Sequence, residues 1–359
     1  MKDFFNKLFA ERKYRNVAII CGILAVLMII GGFAAANYKK NPVNNFASAT
    51  PVKTATPEPK TICLLDGQAY SKDKATRHPV AVSVENHPDA RPQSGLIDAS
   101  IVYEAITEGG ITRFLAVYGP TDTKEVGPIR SARLFFMDWV KEYDAFFAHA
   151  GGNEDALANI GKYAIKDIPH AEPYYYRDYK GRSVASEHTL YSSTDQLYSL
   201  ATKNGFDATR SSYTALKFKA DGPADPAGKG AEINFSSASY KVKWSFDPTS
   251  NKYSRAMAGA PHTDRTSGNQ ITAKNIIIQT VDRTFQPTGS YGSQNYVFHN
   301  VGSGNGYVLE DGKVIKATWK KADLGSRTIF YDEAGAEITL NPGNTWYEVV
   351  PPEVTPVFL

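Results

Sequence analysis

Apolar positions follow different patterns in successive parts of the 359-residue chain. Residues 17–36 are uncharged and mostly apolar, and a run of about 20 such residues is long enough to cross a bilayer core of about 30 Å. The preceding residues 1–16 are basic, which orients a span with its N-terminus in the cytoplasm. The pattern predicts a cytoplasmic basic segment over 1–16 and a single-pass transmembrane helix over 17–36. The rest of the chain is then extracytoplasmic and anchored to the cell membrane.

Two other interpretations of the N-terminal run stay open. Ala34 and Ala36 have the spacing of a signal-peptidase site, although the run is longer than a usual signal core of roughly 7–15 residues. A lipoprotein signal needs a cysteine at the end of the run, whereas Cys21 lies near its start. Each interpretation places the body of the protein outside the cytoplasmic membrane. Residues 37–60 are rich in proline, threonine and asparagine without an apolar period, which predicts a disordered tether.

The first half of the body mixes strand and helix periods. Residues 79–86 read as a strand, and two β-rich runs flank Gly109-Gly110, which predicts a hairpin with a two-residue turn. That register places Glu104 and Arg113 diagonally on one face. Because both faces are largely apolar, we expect the hairpin to be covered on both sides, as in a layered α/β-type domain over residues 61–220.

Helical spacing follows the hairpin. An apolar stripe from Ile129 to Tyr143 predicts a helix that begins at Pro128. The run DAFFAHAGG predicts a short buried strand. Two more helices are predicted, one capped by Asn153 and one that begins at Ser193 or Thr194 and stops at Gly205.

The second half of the body alternates and turns. Residues 221–232 read as a linker, and residues 233–353 contain short alternating runs separated by turns such as Asp311-Gly312. This predicts a mainly antiparallel β domain, either a barrel or a sandwich. The predicted fold class is therefore α+β, a layered α/β-type domain followed by a β-rich domain, behind an N-terminal transmembrane helix.

Composition and cysteine content exclude several kinds of function. The net charge of +3, with no basic block after the first segment, gives no reason to expect nucleic acid as a partner. Cys21 lies in the apolar run, so Cys63 has no partner for a disulfide or a cysteine metal site. Neither a metalloprotease H-E-x-x-H motif nor a G-x-S-x-G motif is present. We predict no metal and no cofactor.

Arginines near Pro128 are the main candidates for a binding site. Arg130 and Arg133 lie three residues apart at the predicted helix start, where free backbone N–H groups and the Ser131 hydroxyl favour anions. Arginine also matches the geometry of carboxylate and phosphate groups. Arg91 and Arg113 are candidates for the same ligand-binding site. The open alternatives are solvated arginines, or arginines that brace internal carboxylates such as Glu104.

Acid–base and histidine candidates are fewer. Glu104 is the candidate acid or base if it faces a pocket, and His149, which precedes Gly151-Gly152, is a second candidate. His262 lies two residues before Asp264, a spacing that could chelate a ligand or an ion. A lone histidine is more often a structural residue, so an enzymatic role stays uncertain and less favoured.

Long motifs in both halves of the body resemble the YerB family of bacterial cell-envelope proteins, known as lipoproteins. The motifs are HPVAVSVENHPDARPQSGLIDASIVYEAITEGGITRFLAVY, GPIRSAR and DAFFAHAGG in the first half, and PHTD, NIIIQTV and GNTWYEVVP in the second. The resemblance covers residues 61–353 and implies two adjoining domains of unknown function, with no established reaction. The residues that match the family's motifs are Arg91, Glu104, Arg113, Arg130, Ser131, Arg133, His149, His262, Asp264 and Trp319. A predicted spanning helix replaces the lipidated cysteine.

Together these patterns predict a membrane-anchored envelope protein that binds an anionic ligand or partner through arginines of its first domain. The expected partners, besides the membrane itself, are a cell-wall polymer or another envelope protein. Two alternatives stay open. One is an enzyme that modifies wall polymers through Glu104 or His149, and the other is a structural interaction module in which the arginines only brace the fold.

Overall fold

A ten-stranded mixed sheet organises the chain in the computed structural model, which describes residues 59–209, 213–288 and 293–359. These residues belong to one compact unit. No helix in these ranges combines the length and the apolar character that crossing a bilayer requires. The predicted transmembrane helix over 17–36, with the basic segment over 1–16 and nearly all of the tether, lies outside the described residues.

The described residues are mostly β with few helices. The helices are α1 (Lys72–Ala75), α2 (Leu134–Glu142), α3 (Glu154–Asn159) and α4 (Thr194–Lys203). The strands of the first half are β1 (Thr61–Ile62), β2 (Ala69–Tyr70), β3 (Val80–Glu85), β4 (Ile101–Ile106), β5 (Thr112–Tyr118), β6 (Phe146–Ala148), β7 (Lys166–Asp167), β8 (Tyr176–Arg177) and β9 (Leu190–Tyr191). Those of the second half are β10 (Ala231–Asn234), β11 (Lys241–Asp247), β12 (Lys252–Met257), β13 (Ala260–Pro261), β14 (Thr272–Ala273), β15 (Asn275–Thr280), β16 (Arg283–Thr288), β17 (Ser293–Phe298), β18 (Gly302–Glu310), β19 (Lys313–Lys321), β20 (Ile329–Tyr331), β21 (Thr345–Val350) and β22 (Val357–Phe358).

The large sheet contains strands from both halves of the chain. Its order is β20-β19-β18-β15-β21-β4-β5-β3-β6-β7, with β21 parallel to both of its neighbours, β15 and β4. The second-half strands were expected to form a separate, mainly antiparallel domain. Strands β10 to β14 and β22 do form an antiparallel sheet, but β15 and β18 to β21 extend the sheet of the first half.

Apolar side chains cover both faces of the large sheet, as the two apolar faces of the hairpin predict. One cluster joins Val102 and Phe114 to Trp244 of the second sheet, and the other joins Tyr103 and Leu115 to Trp139 of α2. Each fully buried large side chain contributes about 2 kcal/mol relative to exposure. The sheet is therefore the middle layer of the fold.

The hairpin differs from the predicted register by one residue. The loop is a 3-10 turn over Glu108–Gly110, so that Arg113 pairs with Ala105 and Glu104 pairs with Phe114. The predicted shared face of Glu104 and Arg113 is wrong, because a one-residue shift moves a side chain to the opposite face. This shift separates the buried Glu104 from the arginine that was expected to pair with it.

Helix α2 begins later than predicted. Its first residue is Leu134, not Pro128, because the preceding segment is extended and bridges Ile129 to Val84 and Ala132 to Gly152. The prediction that Arg130 and Arg133 lie at the start of a helix is therefore wrong, because both lie on an extended segment. The caps of the other two helices are confirmed, since the side chains of Asn153 and Ser193 accept hydrogen bonds from the first turns of α3 and α4.

Candidate anion-binding site

An open cavity of about 510 Å³ lies where the hairpin loop meets the extended segment before α2. Its basic side chains come from β5 and from the extended segment, and its acidic ones come from β3, the hairpin loop and the chain before β9. The charged and polar lining comprises Arg113, Arg130, Ser131, Arg133, Glu85, Glu108, Glu187, His87, His188, Thr107 and Asn153. Of the four arginines predicted to share one ligand-binding site, Arg113, Arg130 and Arg133 line this cavity.

Backbone hydrogen bonds fix the extended segment beside the cavity. The N–H of Arg130 donates to the carbonyl of Ser83 at 2.8 Å, and the N–H of Glu85 donates to the carbonyl of Pro128 at 2.9 Å. On the other side, the N–H of Ala132 donates to the carbonyl of Gly151 at 2.8 Å. Held between two segments, the backbone cannot enter a helix before residue 134.

Arg130 and Arg133 are paired with internal carboxylates. Nε of Arg130 donates to Oε1 of Glu85 at 3.1 Å, and its Nη2 donates to Oε1 of Glu187 at 2.8 Å. Nη2 of Arg133 donates to Oε2 of Glu108 at 2.7 Å. Burial alone would raise the pKa of Glu108, but the hydrogen bond and charge of Arg133 lower it. These two arginines are consistent with the bracing alternative.

Arg113 differs from its two neighbours. Its side chain is buried, with 6% exposure of the residue, and its guanidinium donates to the carbonyl of Ser131 at 3.2 Å. Among the described residues it forms no ion pair, and its buried Nε has no hydrogen-bond partner. Burial and the charge of Arg133 lower the pKa of Arg113 to about 9, which still leaves it cationic at neutral pH. The carboxylates of Glu108 and Glu85 attract Arg113 only at longer range, without a direct ion pair, so burial of this cation stays costly and an anion in the cavity would offset that cost.

Arg91 lies outside the cavity lining. Its Nε donates to Oδ1 of Asn86 at 3.0 Å, and its guanidinium lies over the ring of Tyr240, 5.0 Å from the centroid. The structure therefore does not bring Arg91 to the cavity that the other three arginines line. Ser131 does line the cavity, and its carbonyl accepts the bond from Arg113.

Glu104 is buried in a network that joins the two halves. It is fully buried and ion-paired with Arg255, while the hydroxyl of Thr112 donates to its Oε1 at 2.6 Å. Glu348 accepts a hydrogen bond from the indole of Trp244 at 2.7 Å in the same network, and burial and the charge of Glu104 raise its pKa. Glu104 therefore does not face the cavity, and its burial and ion pair agree with the structural alternative.

The other predicted histidine and acid candidates also have internal partners. His149 uses both ring nitrogens, Nδ1 with the carbonyl of Gly151 at 2.7 Å and Nε2 with Asp167 at 2.8 Å. His262 contacts Arg255 and Gln93, and Asp264 accepts bonds from the backbone of its own loop. His149, His262 and Asp264 are thus absent from the cavity lining.

Two family models match most of the body of the chain. Residues 65–207 match the model described as "Protein of unknown function (DUF3048) N-terminal domain". Residues 231–347 match "Protein of unknown function (DUF3048) C-terminal domain". The chain belongs to the DUF3048 family. The first matched region lies within the predicted domain 61–220, and the second begins two residues before the predicted domain 233–353 and ends inside it. Strands from both regions enter one sheet.

The chain is also similar to a curated protein and to a solved structure. The chain is 29% identical over 291 residues to "Putative lipoprotein YerB" of Bacillus subtilis (strain 168), covering 80% of this chain and 85% of the relative. The crystal structure of YerB from Bacillus subtilis matches with a TM-score of 0.73 and 27% identity, covering 83% of this chain and all of that one. The predicted resemblance to the YerB family, with two domains of unknown function, is confirmed.

The acidic partners of the arginines were not predicted from the sequence. Glu85 ends β3, Glu108 lies in the hairpin loop, and Glu187 lies in a 3-10 turn far along the chain. Glu85 had one local signal, because it is a charged residue at the end of a strand that is otherwise buried. No local feature of the sequence marks Glu187, because its partner Arg130 is 57 residues away.

Proposed function

We propose that this protein is a membrane-anchored extracytoplasmic envelope protein that binds an anionic group in the cavity beside Arg113. The observation that carries the proposal is the buried Arg113 guanidinium, which has one backbone hydrogen bond and no ion pair among the described residues. Carboxylate and phosphate groups match an arginine in charge and in hydrogen-bond geometry. Anchoring and envelope location rest on the apolar N-terminal run and on the lipoprotein name of the relative from Bacillus subtilis.

The sources of such a group in an envelope are peptide stems, phosphate-bearing wall polymers and partner proteins. A cavity of about 510 Å³ is large enough for a terminal group with part of its chain, but not for an extended polymer. We therefore expect recognition of an end or a side group. The alternative of a purely structural module is supported by the carboxylate pairs of Arg130 and Arg133. The two proposals differ in the role of Arg113, which binds a ligand in the first and only supports the fold in the second.

Substitution of Arg113 tests the proposal. We expect Arg113→Gln to weaken binding of inorganic phosphate, or of a short peptide with a free carboxylate, by tenfold or more, because charge-assisted hydrogen bonds contribute about 1.5–3 kcal/mol. The measurement is isothermal titration calorimetry on the full-length chain in detergent. Without ligand, Arg113→Gln should be at least as stable as the parent, because it removes a buried unpaired charge.

Arg91→Gln is the matched control, since Arg91 is a partly buried arginine of the same half outside the cavity lining. It should leave the affinity unchanged. Binding of phosphate alone would indicate a phosphate-bearing ligand, and binding of the peptide alone would indicate a stem carboxylate. Binding of neither probe, or equal affinity in the parent and Arg113→Gln, would exclude this site and favour the structural module.

A further inference from the structure

Two histidines and an aspartate gather at the rim of the cavity, beside the arginines. His87 and Asp89 flank Pro88 in a 3-10 turn after β3, and His188 ends a 3-10 turn before β9. One potential ligand atom from each of the three side chains lies within 4.8 Å of the other two. We propose that His87, Asp89 and His188 form a binding site for one divalent transition-metal ion of the zinc class.

The distances suit a small ion. Nδ1 of His87 lies 3.7 Å from Oδ2 of Asp89. An ion about 2.1 Å from both atoms would bind them at an angle of roughly 120°, so the two residues are near enough to chelate one ion once the His87 ring turns its lone pair toward it. The fixed turn makes these two residues a local chelate, with His188 as the third ligand from a distant part of the chain. Two imidazoles and one carboxylate favour zinc-like ions over calcium or magnesium, which prefer oxygen ligands.

Glu85 orients His188 for such a role. Oε2 of Glu85 lies 2.8 Å from Nδ1 of His188, so that the imidazole donates there and Nε2 carries the lone pair. A carboxylate that accepts from the second ring nitrogen is the usual partner of a metal-binding histidine. His188 is buried while His87 is half-exposed, which leaves one side of the group open to solvent.

Arg182 ties the two ligand-bearing segments together. One of its Nη atoms donates to the carbonyl of Asp89, and the other donates to the carbonyl of His188 at 3.1 Å. The charged side chains around the group are Arg182 and those of the cavity, Arg113, Arg130, Arg133, Glu85, Glu108 and Glu187. The cations exceed these anions by one, and the carboxylate of Asp89 offsets that excess, so the surroundings do not repel a metal ion outright, although the arginines weaken its binding.

One side chain must move to complete the site. The rings of His87 and His188 are stacked, with centroids 4.8 Å apart and planes 12° apart, so their lone pairs do not yet converge. Turning the half-exposed His87 ring breaks one hydrogen bond, which its Nδ1 accepts from the N–H of Asp89 at 3.2 Å. Such a net loss is about 1 kcal/mol, which is small beside metal–ligand bonds. A fourth coordination position then opens toward the cavity.

Metal titration tests the inference independently of anion binding. The full-length chain, purified in detergent without a histidine tag and stripped with chelator, is titrated with Zn²⁺ in buffer free of phosphate. We expect one ion per chain by calorimetry, and visible d–d absorption when Co²⁺ replaces Zn²⁺. His188→Gln and His87→Gln should each weaken binding by tenfold or more, and Glu85→Gln by about 10–100-fold.

His170→Gln is the control, because His170 is a partly exposed histidine that lies 3.7 Å from Glu172 and outside the group. It should bind Zn²⁺ like the parent. Because His87 is half-exposed, His87→Gln keeps the test valid even if the buried His188 variant unfolds. Absence of stoichiometric binding, or equal affinity in His87→Gln and His170→Gln, would overturn the inference. Neither outcome depends on whether Arg113 binds an anion.

Discussion

At the residue scale, Asp138 of α2 is an acidic side chain buried against the second half of the chain. It has 7% exposure, and Nδ2 of Asn300 donates to its Oδ2 at 2.9 Å. Burial raises the pKa of Asp138 to about 7, while the hydrogen bond from Asn300 and the charge of Lys321 act in the opposite direction. The carboxyl is therefore close to half-protonated in the folded protein at neutral pH.

This shift makes a prediction for stability as a function of pH. The folded pKa of Asp138 is about 7, above its unfolded value of 3.8, so the folded state holds the extra proton between these values. Its stabilising contribution is present below pH 3.8 and is lost as pH rises through 7. We expect Asp138→Asn to gain about 2 kcal/mol relative to the parent on going from pH 5 to pH 8. Chemical unfolding at both pH values measures this, and an unchanged difference would contradict the assignment.

Residue-scale chemistry was only partly predictable. The cationic candidates Arg113, Arg130 and Arg133 were found because arginines in a β-rich, largely apolar context are conspicuous in a sequence. Which of them is paired with a carboxylate could not be predicted, because a pair such as Arg130 with Glu187 depends on where distant segments meet. The same holds for the pair of His87 and Asp89, whose spacing of two equals that of His262 and Asp264 but whose surroundings are open to solvent.

At the scale of elements, local chemistry sets the start of helix α4. Ser193 precedes the helix in an extended conformation, and its Oγ accepts a hydrogen bond from the N–H of Gln196 at 3.2 Å. Such a cap satisfies one of the donors that a helix start leaves unpaired. Because the determinants lie within four residues, this helix could be predicted from the sequence.

Removal of the cap should therefore destabilise the protein. We expect Ser193→Ala to lower the free energy of unfolding by about 1 kcal/mol. The matched control is Ser199→Ala in the same helix, whose exposed hydroxyl only bonds back to the carbonyl of Asp195 and whose loss should be close to neutral. Thermal unfolding of both variants makes the comparison. Equal stability of the two variants would show that the cap contributes nothing.

Other elements were misplaced because their limits depend on partners. Helix α2 starts at Leu134, since bridges from residues 126–132 to four other segments keep the preceding chain extended. The hairpin loop contains a 3-10 turn, with Gly109 and Gly110 both at positive φ, in place of a two-residue turn. In contrast, the Asp311-Gly312 turn between β18 and β19 was predicted correctly, because positive φ at both residues is a local requirement.

At the scale of the whole molecule, a buried ion pair connects the two halves. Arg255 of β12 pairs with Glu104 of β4, and its guanidinium lies over the ring of Trp346, 4.3 Å from the centroid. Arg255 is also 3.8 Å from Glu348, so one cation faces two buried carboxylates. The partner of Glu104 was not predictable from sequence, because the pair spans 151 residues.

Substitution of Arg255 should therefore lower the free energy of unfolding by more than the loss of its packing contacts alone would. We expect Arg255→Met to lower the free energy of unfolding by about 3–5 kcal/mol, because it leaves buried carboxylates without a counter-ion. Adding Glu104→Gln should recover part of this loss, since the amide removes one of the two charges. Urea unfolding of the parent, single and double variants measures the coupling. A double variant less stable than Arg255→Met would show that charge compensation is not the reason for the pair.

The order in which the chain is synthesised has a consequence for the large sheet. Strand β21, at residues 345–350, fills the gap between β15 and β4 and leaves the ribosome after both of them. A nascent chain that ends before it presents two open strand edges, which are templates for aggregation. A premature stop codon anywhere upstream of Thr345 would therefore not yield a shorter working protein, however much of the coding sequence precedes it.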